Sequence, residues 1–156
     1  MLFRSEQVNW RWGKDGWRPI LFLKRHHDQP DLMALHRLAD FCVVSSLHDG
    51  MNLVAKEYVA SRDDGDGALI LSRFTGAARE LGDALLVNPY SEEECAAAIH
   101  QALTMPETER RRRMQRMRDA VEHNNIYRWA GKIVSALLKF EFAENTVWEM
   151  EPALSH

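Results

Sequence analysis

The sequence predicts an α/β domain of Rossmann type, a parallel sheet flanked by helices, with a helical carboxyl-terminal region. Three observations carry this. Short apolar runs (residues 18–23, 41–45, 68–72 and 84–87) alternate with stretches whose apolar residues recur every three to four positions. The runs are strand-length, and the last of them is stopped by Asn88-Pro89. The glycine turn that follows the run 41–45, at Asp49-Gly50, opens directly into a helical pattern. In sheets of this kind ligands bind at the carboxyl ends of the strands.

The elements follow in order. Trp10, Trp12 and Trp17 are interleaved with Gly13 and Gly16, which reads as an aromatic-rich loop, available to stack on sugars or to pack against the sheet. Residues 18–23 read as a buried strand with Pro19 near its start. Leu32, Leu35, Leu38 and Ala39 have helical spacing just after Pro30. Residues 41–45 read as a second buried strand, and a helix from Asn52 ends near Arg62. Residues 63–67 form a solvated turn before a third strand at 68–72. A short helix at 75–81 precedes a fourth strand at 84–87, which Asn88-Pro89 stops.

Ser91 with Glu94 makes a capping-box pattern, followed by an apolar stripe of Cys95, Ala98, Ile99, Ala102 and Leu103. Thr104 with Glu107 repeats the cap pattern, with Pro106 in the first turn. Met114, Met117 and Val121 mark the inner face of that helix. Ile126, Trp129, Ala130, Ile133, Val134, Leu137 and Leu138 mark the inner face of another. Residues 143–156 show no periodicity, and the segment from Glu144 is expected to fray.

Composition excludes several function classes. A chain of 156 residues is long enough for one domain with a real core. A formal charge of −3 argues against a dedicated nucleic-acid binder. The run Arg110 to Arg113, with Arg116 and Arg118, is balanced by Glu107, Glu109 and Asp119 and reads as a solvated helix face. Cys42 and Cys95 lie in apolar runs and form no CxxC pair, which suits a reduced, cytoplasmic chain. No apolar run approaches the roughly 20 residues that span a bilayer, and the start has no signal-peptide core. His26 and His27 are adjacent and cannot share a helix face as metal-binding pairs do.

The chemistry concentrates in Asp49-Gly50-Met51-Asn52-Leu53-Val54-Ala55-Lys56-Glu57-Tyr58. Strand, tight turn, polar cap and helix aim several backbone N–H groups at one point, which suits an anion such as a nucleotide diphosphate. Glu57 lies about 8 Å further on, at about 1.5 Å of rise per residue. That distance suits a ribose.

These residues resemble the carboxyl-terminal nucleotide-binding domain of trehalose-6-phosphate synthases. The similarity runs through Val8-Asn9-Trp10-Arg11-Trp12-Gly13, Trp17-Arg18-Pro19-Ile20, Ala39-Asp40 and Asp49 to Tyr58. It continues through Leu71-Ser72 with Phe74, Gly76-Ala77-Ala78, Glu80-Leu81 and Leu86-Val87-Asn88-Pro89-Tyr90. It covers residues 8–142 as a donor-binding domain, leaving 1–7 as a truncated lead-in and 143–156 as a tail.

The resemblance implies the carboxyl-terminal half of a GT-B glycosyltransferase. Such an enzyme moves glucose from UDP-glucose, or another NDP-glucose, to glucose 6-phosphate with retention. It implies that Asp49 accepts hydrogen bonds from the donor glucose, as the catalytic residue of this half. Gly50, Met51 and Asn52 would face sugar and phosphates through their N–H groups. Leu53 and Val54 would serve the diphosphate, and Glu57 both ribose hydroxyls. No metal, cofactor or enzyme nucleophile belongs to this chemistry. His48 stands where the family commonly has arginine, and it reads as a residue of the site edge more than as a general base. Arg73 stands where an acidic or amide residue is common.

The family's acceptor domain, and the arginine and lysine that clamp the diphosphate, precede the matched stretch. Met1 to Gln7 shows no phosphate loop that could replace them. The chain therefore reads as part of a longer or split enzyme, a homo-oligomer being open to the full-length form, and glucosyl transfer by it alone is not expected. Two other functions stay open: a non-catalytic sugar-nucleotide-binding or regulatory module, and a related transferase such as a glucosylglycerol-phosphate synthase.

Overall fold

The computed structural model describes residues 2–124 and 126–144 and divides into two compact units, one up to Leu32 and one from Met33 on. The first unit opens with helix α1 (Leu2–Trp12). Trp10 and Trp12 thus lie on a helix and not in the expected loop, and Trp10 is 90% exposed. Gly13 follows the helix, its N–H bonded to the Asn9 carbonyl at 2.8 Å. Lys14 and Trp17 then pair across a tight turn whose two middle residues, Asp15 (φ 51°) and Gly16 (φ 83°), are both left-handed.

Residues 18–23 do not form the expected strand. Both backbone groups of Ile20 are taken by the side-chain amide of Asn9, each at 2.8 Å, so one asparagine replaces a neighbouring strand. Leu21 is 79% exposed. An apolar run becomes a strand only where another backbone is there to pair with it. Helix α2 (Gln29–Leu38) follows and crosses the division between the units.

The second unit is built on a parallel sheet of β1 (Phe41–Val44), β2 (Ala68–Ser72) and β3 (Leu85–Val87), in that spatial order. Val44 pairs with Leu71 and Ser72 with Val87. All five residues of the central strand β2 are buried. Its alternation separates two cores. Leu69 and Leu71 join Tyr58, Val59, Met114 and Met117 on one face. Ala68 and Ile70 join Leu85, Val87, Ala98 and Ala102 on the other. Helices α3 (Leu53–Ser61) and α5 (Glu107–His123) cover the first face, and α4 (Glu92–Thr104) covers the second.

Several expectations need correction. Strand β1 lies at the sheet edge, and only Val44 of it is buried. On α4 the buried stripe narrows to Ala98 and Ala102; Leu103 is exposed. Ser91 does cap α4, accepting from the Glu94 N–H at 3.2 Å. Thr104 caps nothing: it ends α4, with its hydroxyl on the His100 carbonyl, and Pro106 stands at the cap of α5. The short helix is a 3-10 turn, Gly76–Arg79.

The arginine run is not merely solvated. Arg110 pairs with Asp66, Arg113 reaches the Asp83 carbonyl at 3.1 Å, and Arg118 donates to the Val59, Ala60 and Arg62 carbonyls. Helix α6 (Ile126–Glu144) has the expected apolar stripe, but Trp129, Ile133, Val134, Leu137 and Leu138 are exposed. The Ile126 side chain and the tail beyond Glu144 lie outside the described part of the chain. No helix of the described residues is long and apolar enough to cross a membrane.

Candidate functional site

The loop from β1 to α3 sits at the carboxyl edge of the sheet. Beyond the strand ends, Asp49 still pairs in parallel with Thr75. Its N–H reaches the Phe74 carbonyl at 3.4 Å, and its carbonyl accepts from the Gly76 N–H at 2.9 Å. The turn after β2 thus holds the loop after β1 by backbone alone.

Inside the loop, Asp49 and Asn52 lock each other. Asp49 Oδ1 accepts from the Met51 N–H at 3.0 Å and the Asn52 N–H at 2.9 Å. Asp49 Oδ2 accepts from Asn52 Nδ2 at 2.9 Å, which also donates to Ser46 Oγ at 3.3 Å. The Met51 N–H, then the Asn52 side chain, hold the Asp49 carboxyl below the usual carboxylate range, so it is ionised at neutral pH. Asn52 is buried and left-handed (φ 66°), and its Oδ1 caps α3 by accepting from the Ala55 N–H at 2.9 Å.

The arrangement sorts the N–H groups. Those of Met51 and Asn52 are spent on Asp49, and that of Ala55 on Asn52. Leu53 and Val54 open α3, where first-turn N–H groups have no intrahelical acceptor. Both residues are exposed, and the helix dipole favours negative charge there.

Glu57 follows one turn later and is half-buried. Its carboxylate has no hydrogen bond or ion pair among the described residues, although its carbonyl accepts from Ser61 Oγ at 2.6 Å. Its neighbour Lys56 pairs with Glu80 at 2.9 Å. Tyr58 and Val59 are fully buried and fix the helix beneath.

A cavity of about 620 Å³ adjoins the loop, lined by Gly50, Met51, Leu53, Lys56 and Gly76 and, from α6, Trp129 and Lys132. Glu57 is not among its lining residues, so the decapeptide presents two surfaces. Gly50, Met51 and Leu53 face the cavity, and Glu57 stands outside it. Among the described residues no group of three or more His, Cys, Asp or Glu could hold a metal ion. Burial pushes the Cys42 thiol up to about 11, so it is protonated near neutrality.

Residues 4–139 match the model of glycosyltransferase family 20. The chain belongs to that family. A trehalose-6-phosphate synthase of Klebsiella pneumoniae is 47% identical over 132 residues, 84% of this chain and 28% of that protein. A trehalose-6-phosphate synthase from E. coli, solved bound with UDP-2-fluoro glucose, superposes with a TM-score of 0.83 at 44% identity, over 87% of this chain and 30% of that one. An α,α-trehalose 6-phosphate synthase of Burkholderia multivorans gives a TM-score of 0.86 at 38% identity, over 98% and 33%. The chain therefore spans about 28% of the length of the first curated relative it matches. These likenesses place its α/β fold with the carboxyl-terminal part of GT-B enzymes of this family.

Within this glycosyltransferase family 20 chain, Arg73 is tied to Glu94 in the first turn of α4, and the same carboxylate accepts from the Asn88 N–H at 2.9 Å. Its charge is engaged away from the Asp49 loop. Sequence reasoning assigned no task to Gly76, Lys56 or Glu80. The glycine was visible only as part of the matching Gly76-Ala77-Ala78 run. The Lys56–Glu80 pair, 24 residues apart, left no local signal at all.

Proposed function

We propose that this chain is the donor-binding part of an α,α-trehalose-phosphate synthase, transferring glucose from UDP-glucose, or another NDP-glucose, to glucose 6-phosphate with retention. The observation that carries the reading is the pairing of two unfilled features on one helix. The N–H groups of Leu53 and Val54 open α3 without acceptors, and the unpartnered Glu57 carboxylate follows them. Glu57 lies four positions beyond Leu53, a rise of about 6 Å. A diphosphate at the helix start and a ribose beside Glu57 fill both. The likeness to relatives named as trehalose-6-phosphate synthases supports the choice of sugar and acceptor.

Each residue then has a role. Leu53 and Val54 N–H groups receive the diphosphate, and the helix dipole stabilises the charge that grows on it as the glucosyl bond breaks. Glu57 accepts hydrogen bonds from both ribose hydroxyls. Asp49, held ionised, orders Met51 and Asn52, and its Oδ2, which accepts from Asn52 Nδ2, has capacity left to accept from a sugar hydroxyl. Gly50 and Met51 form the wall that faces the glucose. The bond from glucose C1 to the diphosphate oxygen breaks, and the new bond to the acceptor oxygen forms on the same face. The acceptor proton passes to the departing phosphate, so positioning and charge stabilisation carry the reaction. The donor-binding domain is residues 8–142, in a cytoplasmic enzyme whose acceptor site lies on another domain.

Calorimetric titration with UDP-, GDP- and ADP-glucose tests the reading. The parent chain is expected to bind one of them, and Glu57→Ala to weaken that binding by about tenfold or more, the worth of one charge-assisted hydrogen bond. Equal binding by the variant would remove the ribose assignment.

A further inference from the structure

The loop after β1 and the turn after β2 meet backbone to backbone, and one residue permits it. A Cβ at position 76 would overlap the carbonyl oxygen of Gly50, and would lie 2.8 Å from its carbonyl carbon and 3.3 Å from the Met51 Cα. These are main-chain atoms, which cannot rotate aside as a flexible side chain could. Gly76 does not have the left-handed φ that favours glycine; what it supplies is space. A Cβ at Gly50 or at Gly82 would meet nothing within 4 Å, so the constraint is not general to the glycines nearby.

The turn is itself firmly set. Ser72 is fully buried, its Oγ accepts from the Phe74 N–H at 3.2 Å, and Thr75 Oγ1 donates to the Ser72 carbonyl at 3.0 Å. Asp49 is bonded to this turn on both sides. Any side chain at 76 must therefore push Gly50 and Met51 away from a fixed wall.

We infer that Gly76 is a positioning residue of the donor loop: its missing side chain sets where Gly50 and Met51 stand relative to the start of α3. The inference rests on the donor-site reading above. Gly76 lines the cavity beside Gly50 and Met51, and its effect on the donor runs through the loop.

Two readouts test it in the 156-residue chain, with Gly82→Ala as the control. The first is the amide resonances of Gly50, Met51 and Leu53 in the ligand-free protein. The second is UDP-glucose affinity. Gly76→Ala is expected to move all three amides and to weaken donor binding about tenfold, since misplacing a binding group by roughly 1 Å is costly. Gly82→Ala should do neither. Unmoved amides in Gly76→Ala, or undiminished donor affinity, would overturn the inference.

A parent chain that binds no UDP-glucose would overturn the donor reading instead, and the amide shifts would then decide separately whether Gly76 sets the loop. If Gly76→Ala does not fold, Thr75→Val serves. It removes the hydroxyl bond to the Ser72 carbonyl, leaving the one from the residue 75 N–H, without adding bulk against Gly50, and is expected to shift the same amides and weaken binding severalfold. No shift in that variant overturns the inference.

Discussion

Asn52 joins three parts of the site in one side chain. It caps α3 through Ala55, anchors to Ser46 and closes on Asp49. It does so in a left-handed conformation that most residues avoid. Asn52→Ala is expected to lose about 1 kcal/mol of cap and about 1–2 kcal/mol of conformational preference. Asn52→Gly should lie nearer the parent, because glycine adopts that conformation freely. Urea denaturation of both variants checks the order. That residue 52 is a polar cap at the start of a helix could be read from the sequence. Its φ could not, and neither could the diversion of two N–H groups to Asp49, because nothing local says which way a carboxylate will turn.

Helix α3 is held at both ends and underneath, which keeps its amino end rigid enough to present N–H groups. Its far end is closed by Arg118, and Arg62, itself buried, donates to the His36, Arg37 and Ala39 carbonyls. The composition of the arginine run suggests a solvated face. The partners that make it structural lie 30 to 59 residues away, beyond any local pattern. Asp66 shows the consequence: its hydrogen bond from Arg110 lowers its pKa from 3.8 to about 2. A carboxylate with a depressed folded pKa stabilises above its unfolded value and loses that contribution as pH falls through the folded one. Asp66→Asn is therefore expected to cost about 1–2 kcal/mol at neutral pH. The difference from the parent should shrink as pH drops from about 4 to about 2, measured by denaturation across that range. Residues 18–23 and α6 teach the same lesson for apolar patterns. Periodicity tells which residues seek cover. It does not tell whether a strand or a layer is there to give it.

For the whole molecule, alternation of short apolar runs with helical spacing was enough to place a parallel sheet, and three of the four expected strands form, β1 at the edge and not buried. The decapeptide was legible as a candidate for an anion and ribose site because cap, glycine and carboxylate are close in sequence. The cavity between the loop and α6 was not, since Met51 and Trp129 are far apart along the chain. The 156-residue polypeptide alone is expected to transfer no glucose; trehalose 6-phosphate formed by the purified chain from UDP-glucose and glucose 6-phosphate would contradict this. The most direct measurement of the donor site is a crystal structure of the chain with millimolar UDP. The expected result puts the diphosphate within about 3 Å of the Leu53 and Val54 nitrogens and both ribose hydroxyls on Glu57. A nucleotide bound elsewhere, with Glu57 left facing water, would contradict it.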